Sequence, residues 1–376
     1  MALTTTISDK KLFCYATVAP MGEYAYRAVR QYLDDFYTIG PPDVLYMYDP
    51  LSDELAKEAA KLLNCHPDEI TYLKNTTEGI HIASEALPLK PGDEVLVMGN
   101  EYPANLLSWL RKRKDGVIVT VIKGTDNVRA FQALMDTISP KTKAISVSST
   151  QYYDGYTADL EYLAKTCSEK GIYLVIDAVQ TVGVRKIDLQ QLSVDIFVCG
   201  GQKYLQAGPG TGFMYVNRKT LGKLNDVKVG IRSMERFDED SYALKPTTAR
   251  FQDGTQNLPG IVALLAALKH VNELGIEAIE AKNKQLLAEI KSCLTRYDIP
   301  FIDHGENQGN IVSMKVNDPV GLTNYLKQHS VYVKPIKDVV RLSFIHETSI
   351  DDVEELARLT REWIDNHQSL SIAEYK

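Results

Sequence analysis

The chain has 376 residues, 44% of them hydrophobic and 24% charged, with a formal net charge of −7. Those are ordinary globular values, and the length is long for one domain and comfortable for two. The acidic balance offers no electrostatic footprint for nucleic acid, and no apolar run reaches the length of a membrane span, so neither nucleic acid nor membrane is an expected partner.

The start, MALTTTISDKK, has no apolar core and no arginine-rich amphipathic pattern, so no export or organelle signal is read there. Residues 1–16 are expected to form an N-terminal segment packing near the active site or the small domain. The five cysteines (Cys14, Cys65, Cys167, Cys199, Cys293) are scattered, and none forms CxxC or pairs with histidine at metal-ligand spacing, so no metal site is expected. Their odd number suggests reduced thiols and a cytoplasmic protein.

The run Thr76-Thr77-Glu78-Gly79 opens a helical stretch, Ile80 to Leu87. Strand and helix patterns then alternate. Glu94–Met98, Val117–Ile122, Lys143–Ser148, Ile172–Ile176 and Val194–Cys199 are short β-rich apolar runs, with helical patterns at Ala104–Lys114, Val128–Ile138 and Asp159–Lys170 between them. The basic stretch Arg111–Lys114 closes a helical pattern and reads as a solvated helix terminus. Thr211–Val216 adds a strand after a glycine-rich turn. This βαβ alternation predicts an α/β fold with a mostly parallel sheet covered on both faces. The texture changes at Pro259-Gly260. Helical pattern runs from Ile261 to Tyr297, interrupted at Gly275. Strands follow at Ile311–Val316, Val331–Val333 and Val340–Phe344, with helices at Pro319–His329 and Ile350–Asn366. We therefore expect a large domain over 17–260 and a smaller α+β C-terminal domain over 261–376.

Ligands of open α/β sheets bind outside the carboxyl ends of the strands, where the chemistry-bearing residues fall. Hydroxyls and N–H groups at Thr76 and Thr77 suit a phosphate, although a plain helix cap is the commoner reason for such a sequence. Asp177 ends the apolar run YLVI; it fits a pyridinium partner or a turn cap equally well. Lys203 follows Gly200-Gly201-Gln202 at the end of a buried strand, where desolvation lowers a lysine's pKa and favours Schiff-base chemistry. The turn Gly208-Pro209-Gly210-Thr211-Gly212 lacks the spacing and the following helix of a dinucleotide loop. Tyr102 is placed to stack on a flat ring, or is an ordinary half-buried tyrosine. Arg341, within a β-like run, needs a partner; a substrate carboxylate is one and an internal salt bridge the commoner other.

Taken together and in this order, these residues resemble the class V aminotransferase family of fold-type I pyridoxal-phosphate enzymes, nearest its isopenicillin N epimerase-like and cyst(e)ine C–S lyase-like branch. The resemblance runs from Tyr15 to Leu359 and is most specific at Asp177-Ala-Val-Gln180, Asp195, Gln202-Lys203 and Gly208-Pro-Gly-Thr-Gly. It implies a seven-stranded sheet, pyridoxal 5′-phosphate as cofactor, an amino-acid substrate and a homodimer. By that resemblance Lys203 is the Schiff-base lysine and the base at the substrate Cα. Asp177 pairs with the ring nitrogen and Gln180 lies against the ring 3′-oxygen. Thr77 is the main phosphate contact beside Thr76, Gln202 touches the phosphate, and Tyr102 stacks on the ring. Gln151 reaches the 3′-oxygen or the substrate carboxylate, and Arg341 holds that carboxylate. Thr255, in RFQDGTQN, binds the phosphate of the neighbouring subunit's site. The departures point away from a typical cysteine desulfurase. VYVKPIKDVVR carries no cysteine where desulfurases place their nucleophile, Gln202 replaces a histidine, Tyr102-Pro103 stands where two histidines are common, and His346-Glu347 replaces Tyr-Asn. The expected activity is aminotransfer, with β-elimination or epimerisation as alternatives and a non-catalytic scaffold as a remote one. Side-chain recognition is expected from the loops Tyr15–Met21, Tyr152-Tyr153 and Val229–Phe237, with Arg232 and Arg236 as candidates for a second acidic group.

Overall fold

The computed structural model describes residues 9–373, with side chains to residue 367. A short strand, β1 (Lys11–Leu12), precedes helices α1 (Glu23–Thr38), α2 (Pro41–Tyr48) and α3 (Leu51–Leu63). The alternating region holds β2 (Ile70–Leu73), α4 (Thr76–Ala86), β3 (Glu94–Met98), α5 (Pro103–Arg111), β4 (Ile118–Ile122), α6 (Asn127–Thr137), β5 (Thr142–Ser148), α7 (Leu160–Lys170), β6 (Tyr173–Asp177), β7 (Ile196–Gly200) and β8 (Gly212–Val216). Then come α8 (Arg218–Leu221), a hairpin of β9 (Met234–Phe237) and β10 (Tyr242–Leu244), and the helices α9 (Leu258–Leu274) and α10 (Ile276–Arg296). The chain closes with β11 (Phe301–Ile302), β12 (Ile311–Lys315), α11 (Pro319–Gln328), β13 (Val331–Tyr332), β14 (Lys334–Ile336), β15 (Val339–Ser343) and α12 (Ile350–Ala373).

The seven-stranded sheet has the order β2-β8-β7-β6-β5-β3-β4. Only β8 runs antiparallel to its neighbours; the other contacts are parallel, as the βαβ alternation predicts. β7 and β8 are buried at every residue, so both faces of the sheet are covered. Helices α1, α3 and α9 seal one face with residues such as Tyr32, Leu55 and Leu264. Helix α4 and α5 seal the other with Ile80, Ala83 and Trp109. A side chain at Gly79 would collide with Val198, so glycine there lets α4 lie directly on β7. That close approach brings the start of α4 to the end of β7. Register does the rest: Ser148 lies opposite Asp177, and Asp177 opposite Val198.

The second core surrounds a four-stranded antiparallel sheet, β11-β12-β15-β14, packed by Leu286, Ile290, Leu322, Leu356 and Trp363. The N-terminal segment belongs to this unit: Lys11 and Leu12 pair with Val331 and Tyr332, and Phe13 enters its core. Residues 1–8 lie outside the described residues.

The packing does not divide at 260/261. Helix α9 gives Leu264, Leu268 and Val271 to the large core, and α10 begins there with Ile276 and Ile279 before passing Leu286 and Ile290 to the small one. The change of texture at Pro259-Gly260 marks the start of a helix pair, while the cores part within α10. The basic stretch also differs from expectation. Lys112 sits in a 3₁₀ turn after α5, buried and paired with Asp115 at 2.6 Å and Glu85 at 3.5 Å. No helix among the described residues is long and apolar enough to cross a membrane.

Candidate active site

Strand β6 delivers Asp177 into a position only 2% exposed, where its Oδ1 accepts the Val179 N–H at 3.1 Å. It is both the cap of its own turn and a buried charge. Burial raises its pKa, and the charge of Lys203 opposes that rise. One strand over, β7 runs into Gly200-Gly201-Gln202-Lys203. The turn is held by Gly201 N–H to Thr211 O at 2.8 Å and Ala207 N–H to Gly201 O at 2.9 Å. A side chain at Gly201 would strike the Thr211 hydroxyl, so glycine is required for this turn. Lys203 is buried; desolvation lowers its pKa to about 8, with Asp177 pulling the other way and Arg341 adding to the fall. Its Nζ lies 5.6 Å from the centre of the Tyr102 ring. Tyr102 stands at the start of α5, half exposed, with its ring edge-on to Tyr152 at 5.4 Å.

At the start of α4 the cap is Asn75, which accepts the Glu78 N–H at 2.9 Å, while Glu78 accepts the Lys74 N–H at 2.9 Å. The threonines are thereby spared capping, and the first-turn N–H groups of Thr76 and Thr77 are left for an anion. The Thr76 hydroxyl is buried beside Gly200 and has no partner. Thr77 is exposed and lines a cleft with His81, Lys228 and Asp253. The buried hydroxyl facing the strand end is thus that of Thr76, where the sequence favoured Thr77.

Gln151 and Gln180 are both buried, and each amide is tethered through Nε2: Gln151 to Glu101 Oε1 at 2.8 Å, Gln180 to Ala16 O at 3.2 Å. Arg341, on β15, is 3% exposed. Its Nη1 donates to Tyr152 O at 2.7 Å and its Nη2 to Thr17 Oγ1 at 2.6 Å. No described carboxylate pairs with it, so the internal salt bridge is not what fills this position. Burial lowers its pKa.

Among the described residues, nine buried side-chain polar atoms have no hydrogen-bond partner, and five of them are Thr76 Oγ1, Gln151 Oε1, Gln180 Oε1, Gln202 Oε1 and Arg341 Nε. Buried polar groups are normally satisfied, so this clustering marks a seat for a polar ligand. A flat, anionic, hydroxylated cofactor such as pyridoxal phosphate fits the donors and acceptors present. Thr17, in the loop Tyr15–Met21 expected to recognise the substrate side chain, is bound to Arg341, and Glu101, which the sequence does not single out, is bound to Gln151. Arg232 is held by Asp49 at 2.5 Å, and Arg236 sits exposed on β9, so the structure assigns neither to an acidic substrate group. Thr255 is exposed on the loop before α9.

Comparison with known proteins identifies the family. Residues 50–356 match the family described as Aminotransferase class-V. The chain belongs to the class V aminotransferase family. It is a pyridoxal-phosphate-dependent enzyme. Among its relatives is a probable cysteine desulfurase of Methanothermobacter thermautotrophicus, 28% identical over 267 residues, covering 70% of this chain and 67% of that one. Another is the uncharacterized aminotransferase YcbU of Bacillus subtilis, 24% identical over 348 residues and covering 91% of each chain. The fold is shared with an apo cysteine desulfurase of Thermococcus onnurineus NA1 (TM-score 0.86, 22% identity, 96% of each chain). It is shared equally with the cystine C–S lyase C-DES in complex with cysteine persulfide (TM-score 0.86, 21% identity, 94% of this chain and 98% of that one).

A lysine with a lowered pKa gains its neutral, nucleophilic form as pH rises through that value. Uptake of pyridoxal phosphate by the apoenzyme is therefore expected to accelerate with pH around a midpoint of about 8, followed by visible absorbance. A midpoint near the ordinary lysine value of about 10 would show a solvated amine. Borohydride should fix the cofactor on Lys203 and on no residue of Lys203→Ala, read by peptide mass spectrometry.

Proposed function

We propose that the enzyme removes the Cα proton of an α-amino acid and completes an aminotransferase reaction. The observation that carries this reading is Arg341, a buried guanidinium whose chain partners are a carbonyl and a hydroxyl, both neutral. An α-carboxylate supplies the missing charge with matching fork geometry. When bound, pyridoxal phosphate supplies an electron-withdrawing ring that takes up the electron pair left at Cα. Asp177 would keep a proton on the ring nitrogen. The α4 N-terminus, Thr76, Thr77 and Gln202 would hold the phosphate, Tyr102 would hold the ring, and Gln180 and Gln151 would offer their buried amide oxygens to it. Lys203, with a pKa of about 8, is poised to accept the Cα proton near neutral pH and to return it. Holding substrate by Arg341 fixes the Cα–H bond relative to Lys203, which is the positional contribution.

A second reading, β-elimination from a sulfur-bearing amino acid, is favoured by the relatives named probable cysteine desulfurases and by the C–S lyase among the solved neighbours. The small domain argues against the desulfurase version of it. β14 and β15 join through Lys337 and Asp338 alone, with Lys337 at φ 50°, and no cysteine lies between Val331 and Arg341. A tight hairpin without a thiol has no group to receive sulfur. Reprotonation on the opposite face, giving an epimerase, would use the same residues.

Incubation with single amino acids, with and without a 2-oxo acid acceptor, separates these. Aminotransfer yields 2-oxo acid beyond one equivalent per site only when acceptor is present. Pyruvate and ammonia without acceptor would establish the lyase, and racemised substrate the epimerase. Arg341→Ala is expected to raise KM for the amino acid by about 100-fold while cofactor content stays at wild type. Loss of cofactor with unchanged KM would remove Arg341 from substrate binding.

We also propose a homodimer with shared sites. Gln256, beside Thr255, accepts hydrogen bonds from Ser52 and Arg232, and Arg232 pairs with Asp49. The Thr255 loop, the α2–α3 junction and the segment at Val229–Arg232 thus form one surface, and Tyr46, Met47, Val229 and Ile231 stand exposed on it. An apolar patch of this kind is the mark of a protein contact. If Thr255 serves the partner's phosphate, refolding Lys203→Ala together with Thr255→Ala should yield heterodimers with one intact site. Activity is then expected to exceed that of either variant alone. No recovery alongside sedimentation as a monomer would refute the shared site.

A further inference from the structure

Glu101 follows β3 and is 4% exposed. Its Oε1 accepts the Ser148 N–H at 2.8 Å and Gln151 Nε2 at 2.8 Å, and its Oε2 accepts the Ser148 hydroxyl. No described cation pairs with it. An unpaired buried carboxylate is costly, and three hydrogen bonds recover only part of that cost. A row therefore runs across three neighbouring strand ends: Glu101 after β3, Ser148 on β5, and Asp177 on β6 opposite Ser148. Asp177 is close enough to act on Glu101 electrostatically.

A carboxylate only accepts hydrogen bonds, so Gln151 must turn its NH₂ toward Glu101. That leaves Gln151 Oε1, buried and without a partner, as the atom offered to the cofactor seat. We propose that Glu101 is a positioning residue of this site: it fixes the amide of Gln151 and, through that amide and its own negative charge, strengthens proton binding by the seated cofactor. The charged group acting on it is Asp177, and Tyr152, which also feels Tyr102 and Arg341, is a titratable neighbour that it acts on. Burial raises the pKa of Glu101 and the charge of Asp177 adds to that rise, while the bonds it accepts, those from Ser148 foremost, oppose it.

The role rests on the cofactor seat described above, and the test keeps the two apart. Glu101→Gln preserves shape and an accepting oxygen while removing the charge. Removing a nearby anion destabilises a protonated form, so the midpoint of the pH titration of the bound cofactor's visible absorbance is expected at lower pH. The size expected is about tenfold weaker proton binding. Glu101→Asp, which retains the charge, should restore most of the midpoint. Combined with Gln151→Ala, the effect of Glu101→Gln should shrink to the part carried by its charge alone, because the rest acts through that amide. A purely structural link between β3 and β5 would alter melting temperature and leave the midpoint in place. An unchanged midpoint in Glu101→Gln, or strictly additive effects of Glu101→Gln and Gln151→Ala, overturns the proposal. Wild-type protein that takes up no pyridoxal phosphate overturns the seat and this role together.

Discussion

A lysine and an aspartate sealed side by side at the ends of two parallel strands govern this structure. Neither is cheap to bury: each pKa moves toward the neutral form, and each charge partly restrains the other. The pair is useful only with a third party between or above it, which turns a stability cost into a poised site. The fold is arranged to make that arrangement unavoidable. β6 and β7 are neighbours with Asp177 opposite Val198, so the two turns that follow open to the same end of the sheet. β8 runs back antiparallel, and its own start closes the Lys203 turn through Thr211.

What the sequence shows and what it hides follow from physics. Strands β3 to β8 are legible because each is a short β-rich apolar run, buried throughout in β7 and β8. β3 is observed over the residues expected, and the other strands shift by one or two. The N-terminal helices are less legible. α1 gathers its apolar residues on one side, but Tyr26, Leu33, Phe36 and Tyr37 on that side stand exposed while Ala25 and Tyr32 are buried, so its apolar face is only partly covered. β2 has four residues, too few for a pattern, and β9 lies in a segment that reads as a loop.

The site divides in the same way. Lys203, Asp177, Gln180, Gln202, Tyr102 and Gln151 lie toward one end of the large sheet, because each is tied to the end of a readable strand or helix, while Arg341 acts on Lys203 from the middle of β15 in the small unit. Which of two adjacent threonines turns inward depends on a helix's rotation about its axis, and that is set by Gly79 packing on Val198. The role of Glu101 depends on what it meets across two strands, a contact 47 and 50 residues away along the chain. No local pattern carries such information.

The N-terminal segment ties these elements together. Phe13 is anchored in the small core, and Ala16 donates its N–H to the Ser343 hydroxyl at 2.9 Å. Within the next few residues Ala16 O holds Gln180, Thr17 holds Arg341, and Ala19 N–H donates to Gln202 O at 2.9 Å. A single stretch of backbone thus touches the ring side, the carboxylate side and the turn that carries Lys203. Arg341 comes from the small unit and Lys203 from the large one. Their separation is therefore set both by the shared helix α10 and by this strap. A geometry fixed from two sides is what a buried guanidinium without a carboxylate needs, because the alternative is to swing toward an acid elsewhere on the surface.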